Sequence, residues 1–211
     1  MGNSKTDRRI IRTKRFIRDA LTELMEEKGF EGVTVRDLTN KADINRGTFY
    51  LHYQDKYDLL EKSENEVIQE IKEFIKKANP NEIVSANLKE QPLPFIITLF
   101  EYIQENARFM QVMLGPKGNP GFHLKIKEVM KTNMLEKLEL IDNKTPPLVP
   151  LEHLISYVTS AHLGVIQHWL EQGMKQSPGE MALTLASMTF LGPAYVAGIK
   201  EHKRTCYSLR K

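Results

Sequence analysis

Apolar residues recur along this chain at spacings of three and four, and no alternating apolar–polar run stands out, so the pattern predicts helices throughout. The first covers Lys5 to Lys28, with Ile10, Ile17, Leu21 and Leu24 on one stripe and Arg8, Arg12 and Arg15 on another. Gly29 follows where a left-handed terminating residue is wanted, and Phe30 and Val33 anchor the connection. Thr34 caps a second helix, with Asp37 three residues on, and that helix ends near Ala42-Asp43. Asn45 caps a third that runs to about His52 or Tyr53. Asp55 caps a fourth, whose stripe of Leu60, Val67, Ile71 and Phe74 carries it to about Lys77.

Pro80, Pro92 and Pro94 mark a less regular link. Beyond it the pattern predicts helices over Phe95 to Leu114, stopped by GPKGNPG, and over Phe122 to about Ile141, stopped by Pro146, Pro147 and Pro150. Another spans Leu151 to Gln172 and is ended by Gly173. Ser177-Pro178-Gly179-Glu180 reads as a capping box with proline at the first helical position, starting a last helix that runs to roughly Lys200. The RTCYSLRK tail is expected to fray.

With 211 residues, 41% hydrophobic and 27% charged, the chain has the composition of an ordinary soluble protein. Without an apolar run of bilayer length or the apolar core of a signal peptide, and with Cys206 alone, a reducing cytoplasm is the expected compartment. The net charge of +3 decides nothing, but its distribution is informative. Lys5, Arg8, Arg9, Arg12, Lys14, Arg15 and Arg18 stand against one acid, Asp7, in the first eighteen residues, which suits a polyanion.

The second and third helices are short and joined by a tight turn, the layout of a helix-turn-helix, in which one helix enters the major groove and its neighbour braces it. Asp43 tolerates the left-handed geometry of the turn. Val35, Leu38, Ala42, Ile44, Phe49 and Leu59 or Leu60 supply the packing. Gly47, in the first turn of a helix, costs about 1 kcal/mol against alanine unless backbone or DNA must approach closely. Thr34 and Arg36 are candidates for phosphate contacts, and Asn45, Arg46 and Thr48 for base edges, arginine preferring guanine and asparagine adenine. Tyr50, His52 and Lys56 would fasten the flanking backbone, whereas Tyr53 reads as a packing residue.

Residues 10–60 resemble the N-terminal domain of the TetR family of bacterial regulators. The resemblance rests on Ala20-Leu21-x-x-Leu24, on Gly29-Phe30 followed by Val33-Thr34-Val35, and above all on Asn45-Arg46-Gly47-Thr48-Phe49-Tyr50-x-His52-Tyr53-x-x-Lys56-x-x-Leu59-Leu60. It implies DNA contacts by Thr34, Arg36, Asn45, Arg46, Gly47, Thr48, Tyr50, His52 and Lys56. Asp43 stands where the family usually has glycine, and Tyr53 where phenylalanine is usual. Beyond about residue 75 the likeness weakens, although HWLEQGMKQSPGEM at 168–181 is similar to one C-terminal subgroup.

The fold expected is therefore all-α. A three-helix DNA-binding head over residues 1–54 is joined by a long helix to a helical regulatory body over residues 55–211. The resemblance implies that this body binds a small-molecule effector and forms a homodimer on a palindromic double-stranded operator. Repression follows only from the family's majority, and activation is the alternative. Phe100, Phe109, Met110, Met113, Met130 and Met134, with His162 and Trp169, are candidates for an effector pocket, methionine being readily repacked; a plain helical core is the competing reading. Small residues, among them Ser156, Ser160, Gly164, Ala186, Ala194 and Ala197, let helices approach closely and are candidates for the dimer interface.

An enzyme is the competing class. Cys206 has only His202 nearby and no nucleophile motif, and His168 with Glu171 makes two ligands but no metal site. Neither a cofactor nor catalysis is expected. A membrane-surface role for the basic first helix conflicts with the use of its apolar stripe in the head's core, so no membrane partner is expected.

Overall fold

The computed structural model describes residues 3–77, 79, 92–140 and 146–199. The expectations placed on Pro80, Ile141, Lys200, His202 and Cys206 fall outside these residues. Within them the chain folds into helices: α1 (Asn3–Lys28), α2 (Val35–Lys41), α3 (Arg46–Tyr50), α4 (Lys56–Lys76), α5 (Pro94–Glu105), α6 (Ala107–Leu114), α7 (Pro120–Glu139), α8 (Leu151–Glu171), α9 (Pro178–Leu191) and α10 (Pro193–Val196).

The starts and stops follow local chemistry. Gly29 takes φ +72° and ends α1. Thr34 and Asp37 form a reciprocal capping box at α2, and Ser177 and Glu180 form another at α9. Asp55 Oδ1 accepts from the N–H groups of Tyr57 and Asp58, both at 2.8 Å, which fixes the first turn of α4.

Two expected long helices are broken. Residues 95–114 divide at Asn106, whose φ of −107° leaves the helical region. Its Nδ2 donates to the Tyr102 carbonyl at 2.9 Å, and its Oδ1 accepts from Arg18 at 3.1 Å. A side chain held by a partner 88 residues away leaves no mark on local periodicity. The last helix stops at Leu191 because Gly192 turns to φ +82° and Pro193 has no N–H to continue the ladder.

One continuous core runs from Ile17 in α1 to Leu185 in α9. α1 buries Ile17, Ala20, Leu21, Leu24 and Met25 and packs on α2, α4 and α6. Ile10, expected on the same stripe, is 38% exposed, so the first half of α1 runs past the core. α4 is the mechanical link, since its buried face (Leu59, Leu60, Val67, Ile68, Ile71) meets α1, α5 and α7. In the body, α9 packs on α5 and α8, and Phe100 meets Trp169 edge-to-face at 5.2 Å. No helix among the described residues is long and apolar enough to cross a membrane.

Candidate nucleic-acid interface

The turn between α2 and α3 is set by Asp43, which takes φ +52° and so fills the left-handed position expected of it. The Ile44 N–H then donates to the Thr39 carbonyl at 3.0 Å, closing the turn. α3 is shorter than expected, with Leu51 as its C-cap. At 100° per residue, its one buried residue, Phe49, and Tyr53 just beyond its end fall on the same side. That leaves Gly47 and Leu51 diametrically opposite. Arg46 and Tyr50 occupy one flank, Thr48 and His52 the other.

The flanks are partly organised from within. Arg46 Nη2 donates to the Tyr50 hydroxyl at 3.3 Å, and its guanidinium lies 5.9 Å from the Tyr50 ring centroid. Tyr50, half exposed, rests edge-on against Phe49. Thr48 and His52 are partly exposed, and Arg36 is exposed on α2. Tyr53 is 3% exposed and packs as expected; burial pushes its phenol up to about 12.

Three of the expected contact residues are committed within the protein. Asn45 Oδ1 accepts from the Thr48 N–H at 2.7 Å and from its hydroxyl at 3.1 Å. With the oxygen engaged by Thr48, the amide NH2 is the part of Asn45 left to meet a base edge. Thr34 exchanges bonds with Asp37, and Lys28 sits 2.7 Å from the same carboxylate. The Lys28 ammonium, then Thr34, hold the Asp37 carboxyl down at about 2. Lys56 is the third. Its ammonium donates to the carbonyls of Phe30 and Glu31 at 3.2 and 3.0 Å and lies 4.8 Å from the Phe30 ring centroid. It staples the turn after α1 rather than pointing outward, so the phosphate contact expected of its side chain is not available in this geometry.

Gly47 is explained in part by the same cap. A Cβ there would lie 3.2 Å from Asn45 Oδ1, closer than side-chain carbons normally sit, so glycine lets the cap fold over.

The head is clamped to the body through pairings that sequence periodicity does not indicate. Arg108 of α6 pairs with Glu26 and Glu23 of α1, both at 2.7 Å. Lys41 of α2 shares Glu23 at 2.8 Å. Arg18 lies 5.6 Å from the Phe109 ring centroid. Along this seam an open polar groove of about 540 Å3 is lined by Arg15, Arg18, Glu105, Asn106, Arg108 and Phe109, among others.

The candidate pocket residues lie mostly in solid core. Phe100, Phe109, Met110, Met113 and Trp169 are buried, while Met130, Met134 and His162 are partly so. Trp169 Nε1 donates to the Gln176 carbonyl at 3.0 Å. The Thr189 hydroxyl donates to the Leu185 carbonyl at 2.7 Å, so His162 Nε2, 2.8 Å from that oxygen, acts as donor in a neutral ring. Burial lowers the His162 imidazole to about 4.

Of the candidate interface residues, Ser156, Ser160, Gly164 and Ala197 are exposed and Ala194 is partly so. Ala186 is 1% exposed and faces the protomer's own core, so it offers no surface to a partner. Ala161, Gly164, Val165 and His168 of α8, with Thr184 and Met188 of α9, line an open groove of about 610 Å3.

A bracing helix, a tight left-handed turn and a short outward-facing helix, mounted on a helical body, define a helix-turn-helix regulator fold. Comparison with known proteins agrees. The profile for bacterial regulatory proteins of the tetR family matches residues 17–62, and that of a TetR transcriptional regulator C-terminal region matches residues 90–190. The chain belongs to the TetR family of transcriptional regulators. It is 25% identical over 169 residues to the uncharacterized HTH-type transcriptional regulator YxbF of Bacillus subtilis, a match covering 77% of this chain. That match spans only 40% of the relative's length. Among solved structures, a TetR regulator from Streptococcus agalactiae superposes with a TM-score of 0.57 at 21% identity, covering 87% of this chain and 97% of that one. The regulator FadR from Bacillus subtilis, solved in complex with stearoyl-CoA, gives 0.54 at 17% identity, covering 84% and 98%.

Proposed function

We propose that this protein is a ligand-responsive repressor that binds a palindromic double-stranded operator as a homodimer. The observation that carries the reading is the face of α3 turned away from Phe49 and Tyr53. A five-residue helix that groups Arg46, Thr48 and Tyr50 around a glycine keeps that face exposed or partly exposed, with bonds only among neighbouring residues of the same turn. Arg46 and Thr48 are the base readers in this proposal. Arg36, Tyr50 and His52 position the duplex through its phosphates.

Dimerisation is supported by the apolar surface on the last helices. Tyr157 on α8, Met188 and Phe190 on α9 and Val196 on α10 are all at least 40% exposed beside small residues. A second copy of the same surface would cover them about a two-fold axis and set two α3 helices on one face of the duplex. Effector response is supported by the methionine-rich packing of α6 and α7 and by the α1–α6 seam. An apolar or amphipathic molecule that repacks Met110, Met113, Met130 and Met134 would move α6. Arg108, Arg18 and Asn106 would pass that movement to the head as a shift between two spacings. FadR from Bacillus subtilis, of similar fold, is solved in complex with stearoyl-CoA, an amphipathic molecule with a long apolar chain.

Gly164 gives the test of assembly. A Cβ at this position meets nothing within 4 Å in the protomer, so Gly164→Leu leaves the fold intact and fills the proposed interface. Sedimentation equilibrium should show a wild-type dimer and a monomeric variant with unchanged helicity. Operator affinity should fall with the dimer. A monomeric wild type, or a variant that still dimerises and binds DNA equally well, rejects the reading.

A further inference from the structure

Leu51 is not among the residues assigned to DNA by the helix-turn-helix pattern, yet its placement is the most directed of all. It caps the C-terminus of α3 and is 81% exposed, more than any other large apolar side chain among the described residues of the head. It lies opposite the buried pair Phe49 and Tyr53, one turn after Gly47, and its N–H donates to the Gly47 carbonyl at 3.1 Å. Gly47 has no side chain to hold the helix off the groove floor. The line through Gly47 and Leu51 is therefore the line along which α3 would come closest to the bases. Polar groups stand on either side of it, Arg46 and Tyr50 on one flank, Thr48 and His52 on the other. An apolar side chain on the midline between two polar flanks gains nothing from water and makes no hydrogen bond to a base edge.

We infer that Leu51 is a specificity residue that reads the 5-methyl group of a thymine at the centre of each half-site. Thymine is the only one of the four bases that presents a methyl group in the major groove. Leucine has the reach to meet it from the end of the helix, while Arg46 and Thr48, nearer the N-terminus, address neighbouring base pairs. This assignment rests on the DNA-binding reading above and deepens it, because it states which base the midline of α3 requires.

The experiment separates the two. A duplex is selected by the full-length protein from a random-sequence library, and its central thymines are replaced one at a time by deoxyuridine, which removes only the methyl group. Wild type should lose about fourfold in affinity for each half-site altered, the worth of one buried methyl. Leu51→Ala should bind the thymine duplex more weakly than wild type and be indifferent to the replacement. Leu51→Met, which keeps the apolar reach, should retain part of the preference. A selected site without thymine at the centre of its half-sites overturns the inference while leaving DNA binding intact. So does a Leu51→Ala variant that keeps the full thymine preference, or a wild type blind to deoxyuridine. Failure to select any duplex overturns the DNA-binding reading and this inference with it.

Discussion

Lys125, on α7, places its ammonium 2.8 Å from the carboxylate of Glu64, a side chain of α4 that is 1% exposed. The second oxygen of Glu64 accepts from Asn119 Nδ2, also at 2.8 Å. The helix that leaves the DNA-binding head is thus held to the body by a buried charge with both oxygens satisfied, the arrangement burial of a carboxylate requires.

Removing one partner exposes that requirement. Lys125→Met leaves Glu64 buried with a single neutral donor and should cost about 3 kcal/mol in urea unfolding. The double variant Glu64→Leu/Lys125→Met should recover most of the loss, since an apolar pair needs no solvation. A single variant as stable as wild type would mean that the pair carries no weight in holding α4 to α7.

Lys56 and Arg46 should fail in different ways. Lys56→Met removes the charged donor to the Phe30 and Glu31 carbonyls, so the head should lose about 2 kcal/mol of stability. Its preference for selected over random duplex should be unchanged. Arg46→Ala touches only exposed contacts. Thermal unfolding should be unchanged within about 0.5 kcal/mol, and preference should relax at one base position. Equal losses of stability for both variants would contradict the division between a residue that staples the head and one that reads.

His162 gives the fold a pH dependence of known sign. In the unfolded chain its imidazole takes up a proton near the ordinary value of about 6.5, and in the fold only near about 4. The contribution is complete above about 6.5 and is lost as the pH falls toward 4, because protons then favour the unfolded chain. Between pH 7 and pH 5 this amounts to about 2 kcal/mol. His162→Gln keeps a donor for Thr189 without the titration. Urea midpoints at the two pH values, at one protein concentration, should draw together in the variant. An unchanged pH slope would contradict the burial of His162 as the cause.

Features written in neighbouring residues are legible in the sequence alone. Thr34 with Asp37, Asp43, Asn45, Asp55 and Ser177 with Glu180 each act within four residues of themselves, and each does in the fold what its chemistry suggests. The break at Asn106 and the pairing of Arg108 with Glu23 and Glu26 are not legible there, because the partners lie more than 80 residues apart. Exposure is the other blind spot. Lys56 is polar enough for a phosphate contact, and only the fold shows that its ammonium is spent on two carbonyls. Ala186 is as small as Gly164, but one faces inward and the other outward. Leu51 carries no sequence signal for DNA at all, since it matters only through the direction in which α3 presents it.

The central claim is that α3, with its twin in a second copy, occupies the major groove. Hydroxyl-radical footprinting of the full-length protein on a duplex selected from a random library tests it most directly, read together with the stoichiometry of the complex. Two protected segments related by two-fold symmetry and about 34–36 Å apart, with an even number of chains per duplex, are predicted. Affinity should also fall with rising salt in proportion to the phosphates neutralised. Protection of a single segment by one chain, or no selected duplex even in dilute buffer, would contradict the account.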